Sequence, residues 1–190
     1  MKKYQIIYAD PPWSYRDKAL AGKRGACCKY PVMDKTDIYW LGRKLEPFID
    51  KDCILFMWIT MPKLDEVFSI ISGWGFDYKT VAFTWVKRNK KAPSWFWGMG
   101  MWTRANAELC LLATRGKPKR INAGVHSVID APIQAHSQKP SETRERIVTL
   151  VGDLPRIELF AREKAEGWDV WGNEVDSDID LNGSGKGKCK

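Results

Sequence analysis

Early in this 190-residue chain an apolar, partly β-branched run, Tyr-Gln-Ile-Ile-Tyr-Ala, ends abruptly in Asp10-Pro11-Pro12-Trp13. Such a run reads as a strand. An open α/β sheet binds its ligands just past the carboxyl ends of its strands, so Asp10 brings an acceptor and Trp13 a flat aromatic face to that position. Each proline holds φ near about −65°, and Pro12 also restricts Pro11, which leaves the tetrapeptide little conformational freedom. This arrangement suits chemistry on an exocyclic amino group of a nucleobase. That nitrogen is a poor nucleophile because its lone pair is delocalised into the ring. A carboxylate and a backbone carbonyl that accept its two N–H groups draw it toward tetrahedral geometry. They also stabilise the positive charge that develops as it attacks an electrophilic methyl, while an indole stacks on the base. No strong base is needed before attack. The plainer alternative is a polar turn after a strand with Trp13 as packing, since Asp-Pro pairs are common in turns.

The charge distribution points toward a polyanion. The net charge is +8, and residues 87–120 carry nine cations (Lys87, Arg88, Lys90, Lys91, Arg104, Arg115, Lys117, Lys119, Arg120) against one anion, Glu108. That excess equals the charge of the whole chain, so the remainder is neutral. Trp95, Phe96, Trp97 and Trp102 are interleaved with the cations, the mixture expected where a phosphate backbone lies along a surface and unstacked bases need aromatic faces. Solvated loop lysines beside core tryptophans are the alternative.

A core can form, because 44% of the residues are hydrophobic in a chain of single-domain length. No apolar run approaches the roughly 20 residues of a membrane span, and the short apolar start behind Lys2 and Lys3 reads as a first strand, not a signal peptide. A cytoplasmic protein is expected. Cys27 and Cys28 are adjacent, Cys53 and Cys110 lie in apolar runs, and Cys189 lies near the end. That spacing, with only His126 and His136 to help, suits neither zinc nor a disulfide framework.

The elements that would position the tetrapeptide follow from periodicity. A polar loop is expected over 14–29, a helix over 36–46, and a doubly buried strand over 53–60. Pro62 opens a helix that stops at Gly73, and strands follow at 80–86, 108–114 and 125–129. Pro140 and Ser141 start a helix ended by Gly152, and strands at 157–161 and 168–171 complete the chain. Alternating strands and helices imply an α/β fold with a doubly wound, largely parallel sheet. The expected organisation is one catalytic domain over 1–175 and a disordered polar tail over 176–190.

Three ordered segments carry a resemblance: Asp10-Pro11-Pro12-Trp13; His136-Ser137-Gln138-Lys139-Pro140-Ser141-Glu142; and Glu158-Leu159-Phe160-Ala161-Arg162 followed by Trp168-Asp169-Val170-Trp171-Gly172-Asn173-Glu174. Together they closely resemble the adenine-N6 methyltransferases of the Asp-Pro-Pro-Trp type, over roughly residues 4–175. This family includes the catalytic subunit of the eukaryotic mRNA adenine methylase and compact bacterial and phage proteins. The resemblance implies a circularly permuted Rossmann-like fold that binds S-adenosylmethionine, with the catalytic strand first and the cofactor strand late. It implies that Asp10, Pro11, Pro12 and Trp13 are the catalytic tetrapeptide, that Asp10 and the Pro11 carbonyl hold the target amino group, and that Trp13 and Tyr30 shape the base pocket.

By the same resemblance, Asp10 borders the cofactor, Lys139 pairs with the cofactor's carboxylate, Arg162 contacts its ribose region, and Asn173 and Glu174 hydrogen-bond ribose hydroxyls. Glu108 matches a position near the target base. A lysine at a helix start and an acid closing a strand suit those roles independently, whereas His136 is as readily structural as functional. Arg104, Lys90, Lys91, Lys117 and Lys119 are the expected nucleic-acid contacts, with DNA favoured over RNA and no membrane. The residues that hold the cofactor adenine are not assignable. Only the loops at 14–29 and 87–106 are available to read sequence, so specificity should be short or relaxed, or supplied by a homodimer or a partner subunit. A non-catalytic nucleic-acid-binding subunit on the same fold is the alternative, disfavoured by the intact set of site residues.

Overall fold

The computed structural model describes residues 2–14, 32–100, 102–134 and 138–181. Its centre is one seven-stranded sheet in the order β5-β3-β4-β2-β1-β6-β7. The strands are β1 (Tyr4–Ala9), β2 (Ile49–Ile59), β3 (Asp77–Arg88), β4 (Glu108–Arg115), β5 (Val128–Pro132), β6 (Arg156–Leu159) and β7 (Asp169–Trp171). All neighbours pair in parallel except along β4, which runs antiparallel to both β2 and β3.

The helices are α1 (Lys35–Leu45), α2 (Leu64–Gly73) and α3 (Glu142–Val151). Their starts follow local chemistry. Asp34 caps α1 by accepting the Asp37 N–H at 2.8 Å. Pro62 sits in a short 3-10 turn at Met61–Lys63 that leads into α2, so its missing N–H costs nothing.

The apolar run in β2 is continuous because both faces of the sheet are covered. Cys53, Leu55, Met57 and Ile59 face the cluster formed with Ile38, Leu41 and Leu45 of α1 and Val67, Ile70 and Ile71 of α2. Ile54, Phe56 and Trp58 face the opposite cluster with Ile147 and Val151 of α3. Helices on both faces make a three-layer α/β sandwich. Its large indoles are not left with orphan donors: Trp58 donates to the Tyr8 hydroxyl at 2.7 Å, Trp74 to the Ile38 carbonyl at 2.9 Å and Trp85 to the Ala131 carbonyl at 2.9 Å.

The chain order makes β1 central. From β1 the connection moves to β2 on one side, whereas β6 lies on its other side and leads outward to β7. The windings therefore diverge between β1 and β6, and ligands bind at the carboxyl ends of strands at such a switch point. The first and the second-last strands are brought together there, as expected for a permuted Rossmann-like sheet.

Order also continues past the expected domain end. Leu181 is only 2% exposed within the core, and Asp178 exchanges bonds with Val170, its backbone N–H donating to the Val170 carbonyl and its carboxylate accepting the Val170 N–H, both at 2.8 Å. The aspartate-rich segment that composition assigned to a disordered tail is thus pinned to β7 up to Leu181. Backbone pairing and one buried leucine suffice where average polarity argued against order.

Candidate active site

Asp10 stands one residue past β1. Beyond it the chain turns tightly, with the Trp13 N–H donating to the Pro11 carbonyl at 2.8 Å and the Met33 N–H to the Pro12 carbonyl at 2.9 Å. Pro11 is buried, and its carbonyl keeps a second lone pair for another donor. Trp13 departs from the expectation of an open stacking face. It is 4% exposed, lies in the core cluster, and donates its indole N–H to the Trp58 carbonyl at 3.0 Å. Its large apolar area is better satisfied beneath the turn, where it fixes the turn against β2.

Four ionisable side chains form a continuous chain from Asp10 across the sheet. Lys139, just ahead of α3, places Nζ 2.8 and 2.7 Å from the two Asp10 oxygens and 3.4 Å from Glu108 Oε2. Glu108, the first residue of β4, is held on its other oxygen by Lys87 Nζ at 2.5 Å. Burial opposes a charged Lys139, but the Asp10 and Glu108 carboxylates outweigh it and push its pKa up to about 12. Burial pushes the Asp10 carboxyl above its ordinary range, with Lys139 opposing. Glu108 is also desolvated, yet Lys139 and Lys87 together hold it below its ordinary value. Two carboxylates and two ammonium groups thereby contact one another in a low-dielectric setting.

A cavity of about 190 Å³ opens beside this chain, lined by Tyr8 and Asp10 from the β1 end, Lys139 and Arg144 from the start of α3, and Glu158, Phe160, Arg162 and Glu174 from the β6 and β7 ends. Arg162 Nε and Glu174 Oε1 pair across its rim at 3.0 Å. Arg144 grips Glu158 at 2.6 and 3.1 Å and Glu163 at 3.2 Å. Phe160 has φ of 62°, the left-handed region, which costs a non-glycine residue about 1–3 kcal/mol. Its ring packs edge-on against Trp171 with centroids 5.4 Å apart. The β6 and β7 ends approach closely only because residue 172 is glycine: a Cβ there would fall 2.2 Å from the Ala161 carbonyl oxygen.

The structure thus gathers Asp10, Lys139, Arg162, Glu174 and, through Lys139, Glu108. Asn173 is exposed next to Glu174 and does not line the cavity. Tyr30, His136 and nearly all of the 14–29 loop lie outside the described residues. Lys139 pairs with the Asp10 and Glu108 carboxylates of this chain at the edge of the cavity.

The expected basic surface is split. Antiparallel β4 begins beside Trp85 at the Asp10 end of the sheet and finishes at Arg115, opposite Cys53 near the start of β2. Seven steps of about 3.4 Å put Arg115 roughly 24 Å from the Glu108 end, and Lys117 and Lys119 follow it. There the Lys117 N–H donates to Asp52 at 2.7 Å. Lys90, Lys91 and Arg104, in the segment that joins β3 to β4, remain at the Asp10 end. Sequence proximity grouped residues that a single strand reversal separates.

Residues that the motif reading passed over include Lys87, Tyr8, Arg144 and Glu158. Glu158 stood inside a recognised segment, and its charge between the apolar Ile157 and Leu159 was the available signal.

The comparisons agree with this geometry. Type II methyltransferase M.MunI of Mycoplasma sp is 33% identical over 97% of this chain and 84% of its own length. The N(6)-adenosine-methyltransferase subunit METTL3 of Danio rerio is 30% identical over 92% of this chain and 28% of its own length, and the catalytic subunit METTL3 of Homo sapiens is 28% identical over the same shares. The chain therefore matches the first relative along most of its length and only a limited part of the eukaryotic ones. The MT-A70 family profile matches residues 4–174, and this chain belongs to the MT-A70 family.

Proposed function

We propose that this chain transfers a methyl group from S-adenosylmethionine to the N6 amino group of adenine in DNA. The observation that carries the reading is the cavity at the switch point, where Asp10 of the catalytic turn meets Lys139, Arg162 and Glu174 from three distant segments. Its lining suits a zwitterionic sulfonium nucleoside: cations for a carboxylate, carboxylates for positive charge and for a diol, and the Tyr8 and Phe160 rings for apolar surface. At about 190 Å³ the cavity takes part of such a molecule, which would extend along the rim at Arg162 and Glu174.

The cofactor supplies the electrophilic methyl. This chain's residues do the rest. Asp10 retains lone pairs beyond those Lys139 uses, so its carboxylate and the Pro11 carbonyl can each accept an N–H of the target amino group. Lys139 fixes the carboxylate in orientation, and Glu108 and Lys87 fix Lys139. As the nitrogen takes the methyl it becomes cationic, and the Asp10 carboxylate faces that charge and receives the departing proton.

DNA is favoured because the relative matched along most of its length is a Type II methyltransferase. RNA is the second reading, on the strength of the N(6)-adenosine methyltransferases. The test is transfer of labelled methyl to single-stranded DNA, duplex DNA and RNA, with nucleoside analysis of the products. N6-methyladenine in DNA is the expected product; label in RNA alone changes the substrate, and none in either removes the function.

A pH profile follows from the same geometry. Only ionised Asp10 can accept both a lysine and an amino hydrogen. Because its folded pKa is raised, activity should fall with acidification through a value above the ordinary 3.8. Deprotonation of Lys139 should add no alkaline limb until about pH 12. An acid limb in kcat/KM at or below 3.8 would contradict the assignment of Asp10.

A further inference from the structure

Between β3 and β4 the chain projects a segment whose surface is unusual for a soluble protein. Trp102 is 95%, Met99 89% and Trp97 60% exposed, although indoles are normally kept from water. The segment is not loose. The Asn106 side chain donates to the Lys87 and Phe96 carbonyls at 2.9 and 2.5 Å and accepts the Lys87 N–H at 2.9 Å. Gly98 and Ala105 exchange backbone hydrogen bonds at 2.7 and 3.2 Å, and a Cβ on Gly100 would meet the Thr103 carbonyl oxygen at 1.9 Å, which requires glycine in the tip. Arg88, paired with Asp130 on both nitrogens, lies 4.3 Å over the Trp95 ring. The aromatics are therefore held out by a framed hairpin.

Its charge selects a partner. Residues 89–107 contain Lys90, Lys91 and Arg104 and no acid, and these three cations have no acidic partner among the described residues. Its root is the Lys87–Glu108 pair, linked through Lys139 to Asp10, and β4 lies two strands from β1, roughly 10 Å at about 4.8 Å per strand. A framed, basic, indole-bearing projection rooted at that range from Asp10 fits a nucleic-acid strand whose bases are out of their stack.

We propose that Trp97 and Trp102 form a stacking finger for unpaired bases beside the target adenine, with Lys90, Lys91 and Arg104 holding the adjoining phosphates. This rests on the reading of nucleic acid as substrate. The finger takes the place vacated in the stack when the target adenine leaves it, and stacking on any base is sequence-tolerant. Taking a base out of a duplex costs stacking and pairing energy, which an indole surface offsets.

The test compares the full chain with its Trp97→Ala, Trp102→Ala double variant for binding a short labelled single strand of mixed sequence and an abasic strand of equal length and charge. Cofactor affinity, melting temperature and sedimentation are measured alongside. The variant should lose about tenfold on the base-bearing strand and little on the abasic one, with cofactor affinity and melting temperature retained. A Lys90→Gln, Lys91→Gln variant should lose affinity for both strands and show a shallower salt dependence. Unchanged binding by the tryptophan variant, or an equal loss on both strands, overturns the finger. So does altered self-association with strand binding intact, which would assign the surface to contact between copies. A wild-type chain that methylates DNA yet binds both strands equally overturns the finger alone; one that neither binds nor methylates nucleic acid removes the proposed function with it.

Discussion

Replacing Asp10 with asparagine is expected to lower methyl transfer by about 10³-fold, with cofactor affinity nearly unchanged. The substitution keeps the side-chain volume but exchanges one acceptor oxygen for a donor and removes the negative charge opposite the developing cation. The amino group of adenine then loses its partner at the moment it becomes charged. Lys139 keeps Glu108 as a partner, so the fold should survive. Single-turnover transfer and calorimetric titration of the cofactor check the two halves separately. Near-normal turnover would remove Asp10 from the chemistry; lost cofactor affinity with a normal transfer step would make it a binding residue only.

Lys139→Met should be the most damaging single substitution for the fold at this site. Methionine keeps the unbranched length but leaves Asp10 and Glu108 without the cation that lies 2.7 Å from one and 3.4 Å from the other. Removing one partner of a buried ionic group costs about 3–5 kcal/mol. For a chain of this size that lowers Tm by roughly 10 °C. Glu108 keeps Lys87, whereas Asp10 loses the ammonium that held both its oxygens; already raised by burial, Asp10 should take the proton and stop accepting from the substrate. Adding Glu108→Gln should restore part of Tm by removing one carboxylate, without restoring transfer. A thermal melt and a transfer assay on both variants decide the point: an unchanged Tm in the single variant would mean that Lys139 does not clamp the acids.

These two expectations differ in how they were reached. The placement of Asp10 was legible in the sequence, because a strand stopped by a carboxylate and two prolines prescribes its own geometry over four residues. The clamp was not. Lys139 is 129 residues from Asp10 in sequence, and its place before a helix suggested an anion of the cofactor as partner. The antiparallel course of β4 brings Glu108 to the same ammonium, and strand direction is a property of the whole sheet.

Local physics determined much of this protein from the sequence alone. Periodicity, prolines and glycines placed the strands and helices to within a few residues, since a strand buried on both faces must be apolar throughout and a helix must bury one apolar stripe. The three motifs identified the family and the cavity-lining residues Asp10, Lys139, Arg162 and Glu174. Tertiary structure decided what depends on long-range packing. It buried Trp13 as a support for the turn, split the basic run between opposite ends of the sheet, ordered the chain to Leu181, and set Lys87 and Glu108 into a charge chain with Asp10 through Lys139. The physical reason is that composition and spacing fix what a segment prefers, whereas the direction of one central strand fixes which ends of those segments meet.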